Sequence, residues 1–458
     1  VSRDGTWLIE VSPGETRAAL VDGDGRLVEM QVERMGEREI VGSIHLGRVT
    51  RVEKGIGAAF VEFGDVQPGF LGKAKNVTEG QALIVQVVRA SGGAKGAVLT
   101  QNPILAGRYL SLDAMRPGLH WPRSRPGGEA AELTGFLEEI APEVSGIVPG
   151  PLATVTEHTA LSGEVERLAA EWKEITDLAA QTKPPRELWP APGLVARILR
   201  DARGTVVIDD PRIFASLKAT ADRYMPDRAD MLELYKGRTP LFEGTGVEEQ
   251  LEVAVGTRVE MPGGASLVIE ETEALTAVDV NMGGSGGQTR SDNAIRNTNH
   301  AAAREVARQI RLRNIGGLIV VDFISMKNRS HRKQLVETLR REMRDDPVRH
   351  DVLGMTPGGL VEITRQRVGR PLAAWFGGAA RPALRLQPEA QACAALRAAL
   401  RRPWGPNTSL LANPAIVEAL RGTLAPALEE VGRRLGVALE LVADPGREGY
   451  EFRQGRME

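Results

Sequence analysis

Apolar and polar residues alternate along residues 5–35, interrupted at Pro13-Gly14, Gly23 and Gly25. A period of two broken by turn formers predicts short strands and turns. The same signal is strongest over 40–100, in Ile40 to Val49, Ala58 to Gly64, Gly69 to Leu71, Ala82 to Val88 and Gly96 to Leu99. Five short strands with glycine turns predict a small closed barrel of the OB type. Residues 116–130, rich in Pro, Gly and Arg, read as a linker or exposed loop. From 131 to about 200 the period is helical, clearest at Glu164 to Lys173, and Lys183-Pro184-Pro185 ends it. Residues 205–270 mix strands with short helices. Residues 275–365 predict strand, loop, helix, strand, helix, strand, with the first helix over Asn299 to Arg313. Residues 387–458 predict a small α/β unit of helix, loop, helix and strand. No internal repeat interrupts this order.

Composition narrows the class. The chain has 458 residues, 42% hydrophobic and 26% charged, which suits several packed cores and excludes disorder as the main state. One cysteine, Cys393, excludes a disulfide framework and a multi-cysteine zinc site. The apolar runs are too short for a membrane helix, and the first residues lack the apolar core of a signal peptide. The expectation is a soluble cytoplasmic protein without a membrane partner. A net charge of -2 carries no global mark of a nucleic-acid binder, but residues 304–349 hold 12 Lys/Arg against six acids.

Two carboxylates stand in unusual surroundings. Asp279 lies in Leu275-Thr276-Ala277-Val278-Asp279-Val280-Asn281, and strand alternation puts Asn281 on its face, about 7 Å along. Asp322 ends the apolar run Gly316 to Val321. Strand, helix and strand at this spacing predict a right-handed βαβ unit, with both acids towards the carboxyl-terminal edge where α/β sheets place their sites. Two carboxylates and an amide oxygen form a hard ligand set suited to Mg²⁺ and phosphodiester hydrolysis. The plain alternatives are a turn-forming Asp at each strand end and a solvated basic helix face. Phe60 and Phe70 either stack bases on the barrel surface or fill its core. Lys95 either reaches phosphate or is an ordinary turn lysine. Gly283-Gly284-Ser285-Gly286-Gly287 lacks the Gly-Lys-Ser/Thr run of a phosphate-binding loop, and no His-Glu-x-x-His motif occurs.

Several segments together resemble the bacterial ribonuclease E/G family, over nearly the whole length. They are Ile40 to Val49, Ala58 to Val61, Leu105-Ala106-Gly107-Arg108-Tyr109-Leu110, Ser266 to Ile269, Glu273 to Asn281, Arg308 to Arg313, Gly316 to Phe323, and Arg365-Gln366-Arg367. The chain looks like a short, ribonuclease-G-sized member. The resemblance implies a composite multidomain α/β fold. A ribonuclease-H-like portion would comprise 1–38 and 203–255, with an inserted OB-fold (S1-type) RNA-binding barrel over 39–115. A 5′-end sensor region would follow over 116–202, a deoxyribonuclease-I-like catalytic portion over 256–378, and a small α/β C-terminal domain over 379–458. It implies that Asp279 and Asp322 hold the metal with Asn281 assisting. Phe60, Phe70 and Lys95 would contact RNA, and Arg349 would help bind a 5′ phosphate. Arg311 and Arg313, with the other arginines of 304–349, would track the RNA backbone.

The implied activity is a Mg²⁺-dependent endoribonuclease, with Mn²⁺ a possible substitute. It would cut single-stranded, AU-rich RNA to leave a 3′ hydroxyl, in ribosomal RNA maturation and messenger RNA decay. Four departures qualify this. Ser325 stands where the family commonly has another acid. No cysteine occurs near Ala379 to Gln387, so no zinc is expected, although a homodimer stays plausible. The run Gly146-Ile147-Val148 continues as Pro149-Gly150 rather than Arg-Thr, which predicts a weak preference for 5′-monophosphorylated RNA. The barrel segment between Phe70 and Gly80 is short. A long Arg/Pro-rich tail that recruits degradation partners is not expected. The alternative is a catalytically weakened relative that binds RNA as a chaperone.

Overall fold

The computed structural model describes all residues except 1–4, 38, 75, 92–95, 123–129, 142–144, 284–290, 377–386, 402–407 and 455–458. The chain divides into two units, Val1–Gly36 with Ala202–Phe214 and Glu233–Glu458, and Glu37–Asp201 with Ala215–Leu232. It is a multidomain α/β protein. Among the described residues, no helix is long and apolar enough to cross a membrane.

In the second unit, the strands Ile44–Glu53, Ala58–Glu62, Gly69–Leu71, Val98–Thr100 and Ala82–Arg89 form a barrel, closed by pairing of the first with the last. Val49, Ala59, Val61, Phe63, Leu71, Val85, Val87 and Leu99 fill it. This closed five-stranded barrel is compatible with an OB fold.

The all-helical reading of 131–200 is corrected. Between the helices Ala130–Ile140, His158–Gln181 and Leu194–Asp201 lie strands Gly146–Pro149 and Arg186–Trp189. The second of these pairs with Ile44–Glu53 on the barrel side, far away in the chain, so its partner is invisible to local periodicity. Past the barrel, Leu110–Asp113 pairs with Ile104–Ala106 on one side and with Gly146–Pro149 on the other, in a separate four-stranded sheet. The motif Leu105 to Leu110 has a physical reason there. The buried Glu164 carboxylate accepts the backbone N–H groups of Arg108, Tyr109 and Leu110 at 2.7–2.8 Å. A Cβ at Gly107 would stand 2.5 Å from that carboxylate.

In the first unit, the N-terminal strands Thr6–Ser12, Glu15–Val21 and Leu27–Arg34 form an antiparallel meander, as their alternation predicts. Val206–Ile208 joins parallel to the first, and Leu232–Leu234 adds the far edge. At the strand ends the Asp209 carboxyl accepts the Val11 N–H at 2.8 Å. Burial, reinforced by the Glu10 and Asp210 charges, pushes it up to about 7. Residues 387–454 pack helices Pro388–Leu400, Pro414–Arg421 and Ala425–Leu435 on a three-stranded sheet. Its helix reaches the meander through the Arg397–Glu15 ion pair.

The third sheet of this unit has strand order Arg258–Glu260, Ser266–Glu271, Leu275–Asn281, Gly317–Asp322, Leu360–Arg365 and His350–Met355. Helices Asp292–Leu312 and Arg329–Met343 cover one face. Ala302, Ala303, Val306, Ile310, Leu335 and Leu339 meet Leu267, Val278, Val280, Ile319 and Val321 in one core. The first helix starts seven residues before Asn299, because Ser291 caps it by accepting the Ala294 N–H at 3.2 Å.

Candidate active site

Strands Leu275–Asn281 and Gly317–Asp322 are parallel neighbours joined through helix Asp292–Leu312, the βαβ unit that the spacing predicts. Their register sets Asp279 directly opposite Asp322. Adjacent strands lie about 4.8 Å apart, so the two carboxylates are side by side. Val278, Val280 and Val321 point into the helix-covered core, so Asp279, Asn281 and Asp322 point to the other, exposed face. Asn281 Nδ2 donates to Asp279 Oδ2 at 2.8 Å, which leaves its carbonyl oxygen as a third oxygen donor.

Three features hold this edge in place. Asn299, fully buried on the helix, accepts the Ile324 N–H at 3.1 Å and donates to the Ile324 carbonyl at 2.7 Å. The amide thereby fixes the chain just after Asp322. Gly283 follows Asn281 by two residues, and a Cβ there would stand 2.2 Å from the Gly264 carbonyl oxygen. Arg365, buried on the next strand, donates to Asp346 at 2.7 Å and to the Ile315 carbonyl at 2.9 Å, anchoring the entry to the Asp322 strand. Asn299 escapes a sequence reading centred on acids. Its signal is a polar residue in line with the apolar positions Ala302, Ala303, Val306 and Ile310.

The donor set fits a hard divalent cation. Among the described residues, neither Asp279 nor Asp322 forms an ion pair, so two adjacent negative charges face solvent without a counter-charge. No group of three or more His, Cys, Asp or Glu is gathered among the described residues. Two carboxylates without a cage suit Mg²⁺, which keeps several waters and takes one or two carboxylates. Ser325 is exposed in the loop after Asp322 and offers only a hydroxyl.

The helices that carry most of the basic segment do not flank this pair. They lie on the opposite face of the sheet. Arg311 is buried and pairs with Glu29 at 2.9 Å. Arg313 is buried, donating to Gln309 Oε1 at 2.6 Å and to the Gly256 carbonyl at 2.6 Å. Burial pulls its guanidinium down to about 10. Both arginines are interior struts, with no surface to offer an RNA backbone. Arg349 is exposed in the turn before His350–Met355.

On the barrel, Phe60 and Phe70 face each other across neighbouring strands, with ring centroids 5.9 Å apart at 70°. Both are half-buried and lie outside the barrel's core cluster. The Arg51 guanidinium sits 4.4 Å from the Phe60 ring. Two aromatic rings and a cation at a surface are a platform on which bases can stack. Lys95 lies outside the described residues.

The model of the "Ribonuclease E/G family" matches residues 105–368, a span that contains Asp279, Asn281, Asp322 and Arg349. Ribonuclease G of Haemophilus influenzae is 34% identical over 397 residues, 80% of this chain and 80% of that protein. Ribonuclease G of Escherichia coli strain K12 is 34% identical over 389 residues, 79% of each. Ribonuclease E of Haemophilus influenzae is 34% identical over 388 residues, which are 78% of this chain and 41% of that longer protein. A family match over more than half of the chain and relatives at this identity and coverage lead to one statement: the chain belongs to the ribonuclease E/G family.

Proposed function

We propose that this chain is a Mg²⁺-dependent endoribonuclease that hydrolyses phosphodiester bonds in single-stranded, AU-rich RNA. Its tasks are ribosomal RNA maturation and messenger RNA decay in the cytoplasm. The observation that carries the reading is the uncompensated Asp279–Asp322 pair, in register on the open face, in a chain whose relatives are named ribonuclease G and ribonuclease E. Asp279 and Asp322 hold the cation, and Asn281 fixes the Asp279 carboxylate through its amide. Mg²⁺, or Mn²⁺ in its place, supplies activation of water and stabilisation of charge at phosphorus. Asn299 and Gly283 keep the two strand ends aligned. Phe60 and Phe70 stack bases of the bound strand, and Arg349 contributes positive charge towards a 5′ phosphate.

The five-stranded sheet with its central parallel pair supports a ribonuclease-H-like portion, and the acid-bearing sheet with its two helices supports a deoxyribonuclease-I-like one. A homodimer without zinc is part of the proposal.

Preference for a 5′ monophosphate is weak in this reading. At the turn after Gly146–Pro149, the Gly150 N–H already donates to the Tyr109 carbonyl at 2.7 Å. The Thr156 hydroxyl donates to the Leu152 carbonyl at 2.7 Å. These donors are spent within the protein, and no arginine stands in that turn. One observation favours a second reading, an RNA-binding relative with weakened cleavage: Ser325 stands where the family pattern carries an acid.

The test is cleavage of one AU-rich RNA bearing a 5′ hydroxyl or a 5′ monophosphate, with Mg²⁺ or EDTA. Metal-dependent cutting at nearly equal rates on the two RNAs supports the proposal. Binding without cutting moves it to the second reading, and a strong monophosphate preference removes the weak-sensor part.

A further inference from the structure

The two helices behind the acid-bearing sheet meet along a line of cations. Arg296, His300 and Arg304 follow one another at intervals of four on helix Asp292–Leu312, so they form one ridge. His300 Nδ1 is 3.0 Å from the Thr338 hydroxyl, which joins that ridge to helix Arg329–Met343. His331 and Arg341 of the second helix lie close enough, with Arg296 and Arg304, to act on His300.

The surrounding carboxylates are mostly committed elsewhere. Glu305 turns to Arg26, Arg308 and Gln309. Glu337 pairs with Arg340 at 2.7 Å. Glu342 pairs with Arg341 at 3.1 Å, and the Arg341 side chain is still 60% exposed. Among the described residues, Arg296, Arg304 and His331 form no ion pair. Burial first, and then these cations, hold His300 below the usual imidazole range.

We propose that this interhelical groove, lined by Arg296, His300, Arg304, His331 and Arg341, binds the phosphodiester backbone of RNA. It lies on the face of the sheet opposite the acid pair and engages the part of a long RNA outside the segment being cut. The inference rests on RNA being the substrate. A flexible single strand can pass around the sheet edge, so only an RNA longer than the segment held at the acid pair occupies both faces at once.

The experiment uses the full chain in EDTA. Binding is measured by fluorescence anisotropy for an RNA of about 10 nucleotides, within the span of one single-strand site, and for one about four times longer. The variant carries R296Q, R304Q and R341Q, all at positions with solvent access. Each backbone contact contributes about 0.7 to the slope of log K against log salt, so the variant's slope for the long RNA falls by about 2 and its affinity drops about tenfold. The short RNA binds the variant as it binds wild type, and in a separate assay with Mg²⁺ kcat on it is unchanged. In wild type, the His300 pKa read by NMR rises when the long RNA is added. An unchanged slope and affinity for the long RNA, an equal loss for both RNAs, or a His300 pKa that does not move overturns the proposal. If wild type binds the long RNA with all these signatures yet never cuts it with Mg²⁺, the nuclease reading fails and the groove stands.

Discussion

The six-stranded sheet has two faces of opposite chemistry. One is open and carries Asp279, Asn281 and Asp322. The other is covered by two helices whose outward positions carry Arg296, Arg304, Arg332, Lys333 and Arg341. The same stretch of chain, roughly 275–349, supplies both, because strand and helix alternate along it. In sequence Asp322 sits inside a basic segment, whereas in the fold a layer of apolar side chains separates the acid pair from the helices of that segment. A catalytic carboxylate pair gains from this arrangement, since nearby guanidinium groups would compete with a cation for the carboxylates. Local net charge along a chain is therefore a poor guide to local potential when the segment folds as βαβ.

The largest expected effect falls on the acid face. Asp279→Asn or Asp322→Asn lowers cleavage by about 10²–10³-fold or more. Binding of RNA in EDTA stays the same or tightens, because a negative charge facing a polyanion has gone. Weakened binding in those variants would show that the carboxylates support the fold rather than the chemistry. Next comes Gly283→Ala. Its methyl group cannot fit against the Gly264 carbonyl, so Asn281 shifts and kcat falls about 10–100-fold. Unchanged kcat would detach Asn281 from the site.

Asn299→Ala removes both bonds to Ile324 and leaves its part-buried N–H and carbonyl without their partner. It costs about 2–4 kcal/mol in urea unfolding, with a parallel loss of activity at fixed folded fraction. Full activity in the folded fraction would limit Asn299 to a packing role. Phe60→Ala, on the barrel, costs about 1–3 kcal/mol in RNA affinity, read as a raised KM with kcat intact. A variant that binds as wild type does would remove the stacking platform.

The smallest effect lies outside both faces, at Asp209. Its folded pKa of about 7 is above the unfolded value. The folded form therefore binds more protons in between, and stability falls as pH rises from about 4 to about 7. Asp209→Asn keeps an acceptor for the Val11 N–H, flattens that slope and stabilises the protein at pH 8. An unchanged slope in chemical denaturation across that window would contradict the assignment.

Much of this was readable from residue patterns. The barrel follows from five alternating runs, and its observed strands Ile44–Glu53, Ala58–Glu62, Gly69–Leu71, Ala82–Arg89 and Val98–Thr100 overlap all five. The alignment of Asp279 with Asp322 follows from a crossover that makes their strands parallel neighbours. Arg311 and Arg313 were harder, since a guanidinium at a surface and one buried on a carboxylate or an amide look alike in sequence. Arg311 does fall four and eight residues after Ala307 and Ala303, on the core-facing line of the helix, and its partner Glu29 lies far away in the chain. The strand Arg186–Trp189 is four residues long and takes its order from Ile44–Glu53, so no local period announces it. Asn299 was legible only as a polar break in an apolar stripe, and its purpose needs the position of Ile324.

The most direct test of the acid pair is Mn²⁺ binding followed by electron paramagnetic resonance, in wild type and in the Asp279→Asn/Asp322→Asn variant. The account predicts a bound-Mn²⁺ signal in wild type that Mg²⁺ displaces and that the double variant loses while remaining folded. A double variant that binds Mn²⁺ as tightly as wild type would contradict it, and would place any cation this protein uses somewhere other than between Asp279 and Asp322.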